Sequence, residues 1–272
     1  EKIGTGELRI VPEVRKNEIL ALINQGLQDV SFSRSREKLQ WGIPVPGDES
    51  QTIYVWADAL VNYISALEYP DGEKFKRYWP ADVHIVGKDI LRFHATIWPA
   101  MLLSLGIELP KAIFVHGYIT ANGQKMSKTI GNVIDPIPLV EKYGADAVRY
   151  FLLREIPSTQ DGDFTEEKLR ERYNSDLASG LGNLVARVLA MAEKAMPNTK
   201  AQILNEFQNP KFKVFLNETR GKVSNALDAF QFSSALEKIW EVIQFCDRYI
   251  DEKKPWSLDS ARDQEQQKDV LG

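Results

Sequence analysis

The sequence contains few of the residues from which disulfide-linked or zinc-dependent domains are built. Its 272 residues include a single cysteine, Cys246, which excludes both a disulfide framework within the chain and a zinc site made of several cysteines. We interpret Cys246 as a core residue of a helix. No apolar run is long enough to cross a bilayer, and the N-terminal residues lack the pattern of a signal peptide. We therefore expect a cytoplasmic protein without a membrane partner and without a metal site of its own.

The charge of the chain is almost balanced, with a formal net value of −4 at pH 7. This small acidic excess argues against a broad surface for nucleic-acid phosphates, which requires clustered cations. It leaves open the recognition of unstacked RNA bases, which depends on stacking and hydrogen bonds. The composition, with 43% hydrophobic and 26% charged residues, is that of a globular protein, and the length suits two domains. Because the chain begins at Glu1, we expect a processed or engineered fragment.

Hydrophobic patterns divide the sequence into an α/β part and a helical part. An amphipathic helix at 11–27 and a connector rich in proline and glycine come first. The predicted elements that follow are strand 52–56, helix 57–67, strand 82–86, helix 90–105 and strand 112–115. This alternation is typical of a parallel sheet with crossover helices, whose ligands bind at the carboxyl ends of the strands. Long helices of a predicted bundle follow at 166–195, 209–229 and 231–252.

The two predicted crossover helices each carry a stripe of apolar and aromatic residues on one face. The members of the two stripes are Trp56, Ala59 and Tyr63, then Ile90, His94 and Trp98. Side by side, such helices line an aromatic pocket in which the Tyr63 hydroxyl and the His94 ring are the hydrogen-bonding groups. The pocket suits an unbranched apolar ligand with a polarisable sulfur. Taken alone, the stripes favour an ordinary core, which is the commoner outcome of this spacing.

A short polar run, Gly87-Lys88-Asp89, separates the second predicted strand from its helix. A glycine at the end of a strand permits the close approach of a ligand. From its position, Asp89 either caps the helix or binds a ribose hydroxyl or an ammonium group, and the spacing favours neither. The run is therefore a candidate site with an equally good structural explanation.

A pair of lysines lies on a loop between Gly123 and Gly131, in the run Lys125-Met126-Ser127-Lys128-Thr129. Two lysines three residues apart can close over a polyphosphate and stabilise the negative charge that builds on departing pyrophosphate. The glycines allow such a loop to move. A solvated pair of surface lysines is the alternative for a bare Lys-x-x-Lys, but the full run in this context favours a polyphosphate site.

The lysine run resembles the signature loop of class I aminoacyl-tRNA synthetases. The run from Gly131 to Tyr150 is similar to the subgroup that activates methionine, isoleucine, leucine and valine. Three further runs resemble the methionyl-tRNA synthetases, and they are Tyr54-Val55-Trp56-Ala57-Asp58-Ala59, Gly87-Lys88-Asp89-Ile90 with Phe93-His94 and Trp98-Pro99-Ala100-Met101-Leu102, and Val115-His116-Gly117-Tyr118. The resemblance extends from about Arg34 to Trp256. It implies the second half of a Rossmann-type parallel-sheet domain followed by an α-helical anticodon-binding bundle.

The same resemblance implies a role for each matching residue. Methionine binding is implied for Trp56, Ala59, Tyr63, Asp89, Ile90, His94 and Trp98. ATP binding is implied for Gly87, Asp89, His116 and Lys128, and a catalytic role for Lys125 and Lys128. Anticodon binding is implied for Asn183, Arg187 and Trp256, whose types suit base reading and stacking. Two positions depart from the family pattern, because Thr129 replaces the commoner serine and Leu60 replaces a proline of some members.

Without the resemblance, we would interpret Asn183 and Arg187 as a surface Asn–Arg pair and Trp256 as a tryptophan packed under the C-terminal tail. With it, the implied domains are the tail of the connective insert and its linker at 1–50, the second half of the catalytic domain at 51–117, the lysine loop and stem-contact region at 118–165, and the anticodon-binding domain at 166–272.

The implied reaction is the ATP-dependent activation of methionine, with Mg²⁺ accompanying ATP, followed by transfer to tRNA(Met). The family's His-x-Gly-His string is absent from the sequence, so we expect this chain to be inactive alone. Two alternatives stay open, a non-catalytic tRNA-binding paralogue and a synthetase for isoleucine, leucine or valine.

Overall fold

The computed structural model describes residues 1–195, 210–254 and 256, and the chain divides into two compact units, Glu1–Gly117 and Tyr118–Gly272. The strands are β1 (Arg9–Val11), β2 (Ser33–Ser35), β3 (Pro44–Val45), β4 (Asp48–Ile53), β5 (His84–Gly87), β6 (Ala112–His116), β7 (Ile119–Ala121), β8 (Gln124–Lys125) and β9 (Gly162–Phe164). The α-helices are α1 (Lys2–Thr5), α2 (Glu13–Asn24), α3 (Val55–Ser65), α4 (Glu73–Tyr78), α5 (Trp98–Ser104), α6 (Pro136–Tyr143), α7 (Ala145–Glu155), α8 (Glu166–Arg172), α9 (Asn183–Ala195), α10 (Pro210–Asp228) and α11 (Phe232–Lys253). Two further segments, Phe93–Ile97 and Tyr173–Gly182, are π-helical. Within these described ranges, no helix combines the length and the apolar character needed to span a membrane.

The first unit is built on a three-stranded parallel sheet with the order β1-β6-β5. The central strand is β6, whose first four residues are buried because strands flank both its edges and helices cover it. The register places Gly87, at the end of β5, beside His116, at the end of β6. Both strand ends therefore lie at the edge of the sheet where ligands of open α/β sheets bind.

The strand predicted at 52–56 does not belong to this sheet. The observed strand β4 ends at Ile53 and pairs antiparallel with β2 and β3 in a separate sheet. The reason is the turn between β3 and β4, where Gly47 has a φ of 82° and closes a tight hairpin, which makes neighbouring strands antiparallel. The pattern of prolines and glycines indicates only a connector there. The chain turns at Tyr54, so Trp56 lies in the first turn of α3 instead of on a strand.

The third strand of the parallel sheet is β1, which the hydrophobic pattern does not predict. Its three residues pair with β6, and Ile10 lies beside Ile113. Because only Ile10 is buried in so short a strand, no period is detectable in the sequence. The helix predicted at 11–27 is accordingly shorter, from Glu13 to Asn24. The strands predicted at 82–86 and 112–115 are confirmed as β5 and β6.

The helix predicted at 90–105 changes its winding along its length. Residues Phe93–Ile97 are π-helical, and α5 continues from Trp98 to Ser104. The helix ends before Gly106, whose φ of 69° is left-handed, as a C-terminal glycine predicts. Leu60 and Ile64 of α3 pack against Trp98 and Leu102, forming the second hydrophobic cluster of this unit. The two predicted crossover helices are thus side by side.

The second unit opens with a small sheet of order β8-β7-β9. The hairpin of β7 and β8 turns at Asn122-Gly123, both with positive φ, as a two-residue hairpin loop requires. Phe164 of β9 packs against Phe151 of α7 and Leu169 of α8 in the core of this unit. The hairpin therefore projects from a sheet anchored on helices.

The rest of the second unit is helical, as predicted. The stretch predicted at 166–195 is continuous but includes the π-helical segment between α8 and α9. The helices predicted at 209–229 and 231–252 correspond to α10 and α11, which pack against each other. Residues 196–209, 255 and 257–272 lie outside the described residues, and so does that part of the predicted domain 166–272.

A hydrogen-bonded group connects three helical elements of this unit. Trp240 Nε1 of α11 donates to the Tyr150 hydroxyl of α7 at 2.5 Å, and that hydroxyl donates to Asp176 Oδ2 of the π-helical segment at 2.7 Å. Burial and, to a smaller extent, the hydrogen bond to Asp176 together raise the pKa of Tyr150 to about 12. Gly180 lies against the indole, because a Cβ there would be 2.9 Å from a ring carbon of Trp240.

Candidate functional site

The side chains of the predicted aromatic pocket lie together in the first unit, between α3 and the helix after β5. His94 Nδ1 lies 3.0 Å from the carbonyl oxygen of Ile90, which can only accept, so the proton is on Nδ1. His94 Nε2 is then an acceptor, and the Tyr63 hydroxyl donates to it at 2.9 Å. The two hydrogen-bonding groups foreseen from the sequence are therefore bonded to each other, with His94 buried and Tyr63 half-buried.

Tryptophans form the other walls of this pocket. The Trp56 ring stacks on Phe93 with centroids 4.1 Å apart, and it meets His94 edge-on at 6.1 Å. Trp98 is fully buried and lies 5.9 Å from Tyr63, centroid to centroid. The structure thus brings together Trp56, Tyr63, His94 and Trp98.

The other two residues of the stripes, Ala59 and Ile90, have different surroundings. Ala59 is half-buried on α3, one turn after Trp56. The side chain of Ile90 packs against the core beside the parallel sheet, with Leu91 and Val86, so its carbonyl oxygen is its link to His94. Helical spacing alone does not show which residues of a stripe face the pocket and which pack into the core beside the sheet.

Two further residues, His84 and Phe93, contact these side chains, although the sequence patterns assign neither of them to the pocket. His84 is buried in β5, accepts a hydrogen bond from Trp98 Nε1 at 3.1 Å and lies 4.4 Å from the Tyr63 ring centroid. The alternation along β5 is the signal that could have revealed it, because His84 and Val86 are buried while Ile85 between them is exposed.

The pocket carries no charge at neutral pH. Burial and, to a smaller extent, the neighbouring His94 together lower the pKa of His84 to about 4. Burial also lowers the pKa of His94 and raises that of the Tyr63 phenol. Both imidazoles are therefore neutral and the phenol is protonated. An aromatic, uncharged pocket of this kind suits an apolar or thioether side chain.

The predicted nucleotide-binding residues of the first unit meet at the strand ends. A Cβ at Gly87 would lie 2.8 Å from Asp89 Oδ1 and 3.8 Å from His116 Cε1. Glycine at this position therefore allows the Asp89 carboxylate to fold back over the strand end. His116 Nδ1 donates to the Gly117 carbonyl at 2.8 Å, and the His116 side chain is exposed, as is that of Asp89. An exposed carboxylate and an imidazole at this edge are available to a polar ligand.

The lysine loop of the second unit is closed by a side chain. Asn132 accepts from the backbone N–H of Ser127 at 2.8 Å and donates to the Lys125 carbonyl at 3.2 Å. Lys125 Nζ lies 4.4 Å from the centroid of the Tyr118 ring, and Lys128 is exposed. Asn132 belongs to the run from Gly131 to Tyr150 that resembles the family, and no sequence pattern predicts this bridging role. The two hydrogen bonds of Asn132 thus restrain the loop backbone that carries both lysines.

The hairpin of β7 and β8, which leads into the lysine loop, is also restrained by side-chain hydrogen bonds. Asp163 Oδ1 accepts from the Gly123 N–H at 2.6 Å and from the Thr120 hydroxyl at 2.8 Å. These two hydrogen bonds lower the pKa of the Asp163 carboxyl, the backbone bond contributing most. The carboxylate therefore fixes the turn from which Lys125 departs.

The predicted base-reading residues lie in the helical part of the second unit. Arg187 forms ion pairs with Asp247 at 3.3 Å and Asp251 at 2.6 Å, both on α11. Asn183, one turn earlier on α9, is exposed, and Trp256 is 55% exposed. Arg187 is therefore held by two aspartates instead of pairing with Asn183, while Asn183 and Trp256 present accessible polar and aromatic surface.

The sequence model of the family described as tRNA synthetases class I (M) matches residues 5–189 of the chain. The chain belongs to this family. The matched region contains the aromatic pocket, the strand ends, the lysine loop, Asn183 and Arg187, whereas Trp256 lies outside it. Membership of this family and the α/β fold with a helical second part are thus confirmed, and the role of each site residue stays a prediction.

Curated relatives of this synthetase segment cover most of it. The methionine–tRNA ligase of Caldanaerobacter subterraneus subsp. tengcongensis is 51% identical over 255 residues, which is 92% of this chain and 39% of the relative. The methionine–tRNA ligase of Thermotoga maritima is 45% identical over 267 residues, covering 96% of this chain and 42% of the relative. The chain therefore spans about two-fifths of the length of these relatives.

A solved structure agrees with the fold. The crystal structure of Mycobacterium tuberculosis methionyl-tRNA synthetase bound by methionyl-adenylate matches 99% of this chain and 54% of that chain, with a TM-score of 0.88 and 40% identity. In the described residues of our synthetase segment, no three histidine, cysteine or acidic side chains gather as a metal site would require.

Proposed function

We propose that this chain is a segment of a methionine–tRNA ligase and that it contains the methionine pocket of that enzyme. The observation that carries the proposal is the uncharged pocket of Trp56, Tyr63, His94 and Trp98. A thioether packs well against aromatic rings and needs no charged partner. Family membership and the relatives named above support the same substrate.

The reaction proceeds in two steps in the intact enzyme. The methionine carboxylate attacks the α-phosphate of ATP, which enters with Mg²⁺, and pyrophosphate leaves as methionyl-adenylate forms. The terminal ribose hydroxyl of tRNA(Met) then attacks the acyl carbon, and AMP leaves. Because the adenylate carries its own leaving group, the protein contributes mainly positioning and the stabilisation of charge.

Each group of residues has a place in this scheme. The aromatic pocket binds the methionine side chain, and the Asp89 carboxylate, exposed at the strand end, binds the ammonium group or the adenylate ribose. Gly87 and His116 line the nucleotide at the same edge of the sheet. Lys125 and Lys128 stabilise the charge on pyrophosphate as it departs.

The helical residues serve the tRNA. Trp256 offers an exposed ring for stacking on an anticodon base, and Asn183 offers an amide for a base edge. Arg187 has a guanidinium that Asp247 and Asp251 orient. The anticodon loop is a single strand with unstacked bases, which this combination of side chains suits.

The decisive test is an amino-acid activation panel on the full-length enzyme that contains this segment. Pyrophosphate exchange is measured with methionine, isoleucine, leucine and valine, and we expect methionine alone to support exchange. Exchange with one of the other three would assign the chain to a different synthetase. Exchange with none of them, together with binding of tRNA(Met), would favour the non-catalytic paralogue.

The lysine loop is tested separately. Lys128→Ala in the full-length enzyme should cut adenylate formation far more than methionine binding, because the lysine acts on the leaving pyrophosphate. Lys213→Ala, an exposed lysine of α10 outside every proposed site, is the matched control and should leave both unchanged. Wild-type turnover of the Lys128 variant would refute the assigned role.

We also propose that the 272-residue chain alone does not form methionyl-adenylate, since it lacks the His-x-Gly-His string of the family. Methionine-dependent pyrophosphate exchange by the isolated chain, at a rate comparable to the full-length enzyme, would contradict this.

A further inference from the structure

His84 is a buried polar residue to which the proposed function gives no role. It lies at the start of β5, with only 5% of its surface exposed. Its ring is within 4.4 Å of the Tyr63 centroid and 6.3 Å of the His94 centroid. A buried imidazole in the middle of an aromatic pocket costs solvation, so its hydrogen bonds decide what it contributes.

His84 accepts a hydrogen bond from Trp98, a fully buried residue of the pocket. Trp98 is 0% exposed, and its indole N–H can only donate. The acceptor is His84 Nε2 at 3.1 Å, which places the imidazole proton on Nδ1. Trp79, which contacts both rings, donates instead to the carbonyl of Glu108 at 2.9 Å. His84 is therefore the group toward which the Trp98 N–H is directed.

The contact with Tyr63 adds a second restraint. The Tyr63 ring lies tilted on the His84 ring, and the hydroxyl at its other end donates to His94. A shift of His84 would therefore move two side chains that line the pocket, one through a hydrogen bond and one through ring contact. Because burial keeps the pKa of His84 at about 4, the imidazole remains a neutral acceptor throughout the physiological range.

We propose that His84 is a positioning residue of the methionine pocket, which orients Trp98 by accepting its indole N–H and supports the ring of Tyr63. This inference rests on the proposed function, because it takes methionine as the ligand of the pocket. His84 touches no substrate atom in this scheme. Its effect is exerted on the two side chains that the methionine side chain meets.

The test compares two substitutions in the full-length enzyme. His84→Gln keeps an acceptor oxygen near the position of Nε2, whereas His84→Leu has a similar volume and no acceptor. Leaving a buried donor unsatisfied should raise the KM for methionine about tenfold in His84→Leu, with the KM for ATP unchanged. His84→Gln should stay within about threefold of wild type, since its acceptor is retained.

A double substitution separates positioning from general stability. Trp98→Phe removes the donor, so His84→Leu should have less than about twofold further effect on the methionine KM in that background. A purely structural role would reduce the fraction of active enzyme, measured by titration of active sites, without changing the methionine KM. An unchanged KM in His84→Leu, or equal impairment of the Leu and Gln variants, overturns the inference.

A second pair of variants covers the case in which His84→Leu does not fold. His84→Asn is polar like His84→Gln, but its side chain is too short to reach the Trp98 N–H. The Asn variant should therefore show the raised KM and the Gln variant should not, and equal values would overturn the inference. If the wild-type enzyme itself fails to activate methionine, the proposed function fails, and the His84 variants are not needed to show it.

Discussion

The neutral state of His84 should make the stability of the first unit depend on pH. In the unfolded chain an imidazole has a pKa near 6.5, whereas in the fold burial lowers that of His84 to about 4. As the pH falls below 6.5, the unfolded state binds the proton first, so folding loses stability until the folded pKa is reached. Because of this pKa difference, the free energy of unfolding is about 3 kcal/mol higher at neutral pH than at a pH well below the folded pKa. About 2 kcal/mol of it is lost between pH 7.5 and pH 5.

The assay is urea unfolding of the chain at pH 7.5 and at pH 5, followed by tryptophan fluorescence. Four of the six tryptophans lie in the first unit, so the signal reports mainly on it. His84→Gln keeps the acceptor but does not titrate, so its loss of stability on acidification should be smaller by about 2 kcal/mol. The pKa of His94 is also lowered by burial, and that contribution remains in both proteins. An identical pH dependence in wild type and His84→Gln would refute the argument.

Three substitutions in the second unit test its packing by thermal or urea unfolding. Gly180→Ala should destabilise by about 1–3 kcal/mol, because the new Cβ would lie 2.9 Å from the Trp240 ring. Gly221→Ala is the matched control on α10, because nothing lies within 4 Å of the added Cβ. It should stabilise the protein by up to about 1 kcal/mol. Equal effects of the two substitutions would contradict the role of the Trp240 contact. Tyr150→Phe should cost about 1–3 kcal/mol, because Trp240 and Asp176 each lose a partner, and wild-type stability would show that water replaces the hydroxyl at no cost.

The elements with a strong period were predictable from the sequence. The runs at β5 and β6 are short, apolar and bounded by glycine or polar residues, and the stripes on α3 and on the helix after β5 follow helical spacing. These patterns depend on local burial, which the sequence records directly. They also placed Tyr63 and His94 on facing helices, and the structure joins the two by a hydrogen bond. Helical spacing alone does not distinguish a ligand pocket from an ordinary core, so the assignment of these residues to methionine depends on the family resemblance.

The features that were missed depend on partners distant in sequence. β1 is a strand because β6 supplies its hydrogen bonds 103 positions away, and its three residues carry no period. β4 is antiparallel because of one turn at Gly47. His84 matters through the indole of Trp98, which lies on another element. Arg187, assigned from a family run, is paired with Asp247 and Asp251 of α11, and no pattern within α9 indicates those aspartates.

The π-helical segment Phe93–Ile97 makes the pocket sensitive to the number of residues as well as to their identity. In an α-helix, residues four apart drift by about 40° around the axis, whereas a π turn takes in one residue more and opposes this drift. His94 and Trp98 are four apart across this segment, one bonded to Tyr63 and the other to His84. Deleting Ala95 would shift the register of α5 and rotate Trp98 by about 100°. Among related sequences, a one-residue gap here would therefore mark the loss of this pocket even where every aromatic residue is retained.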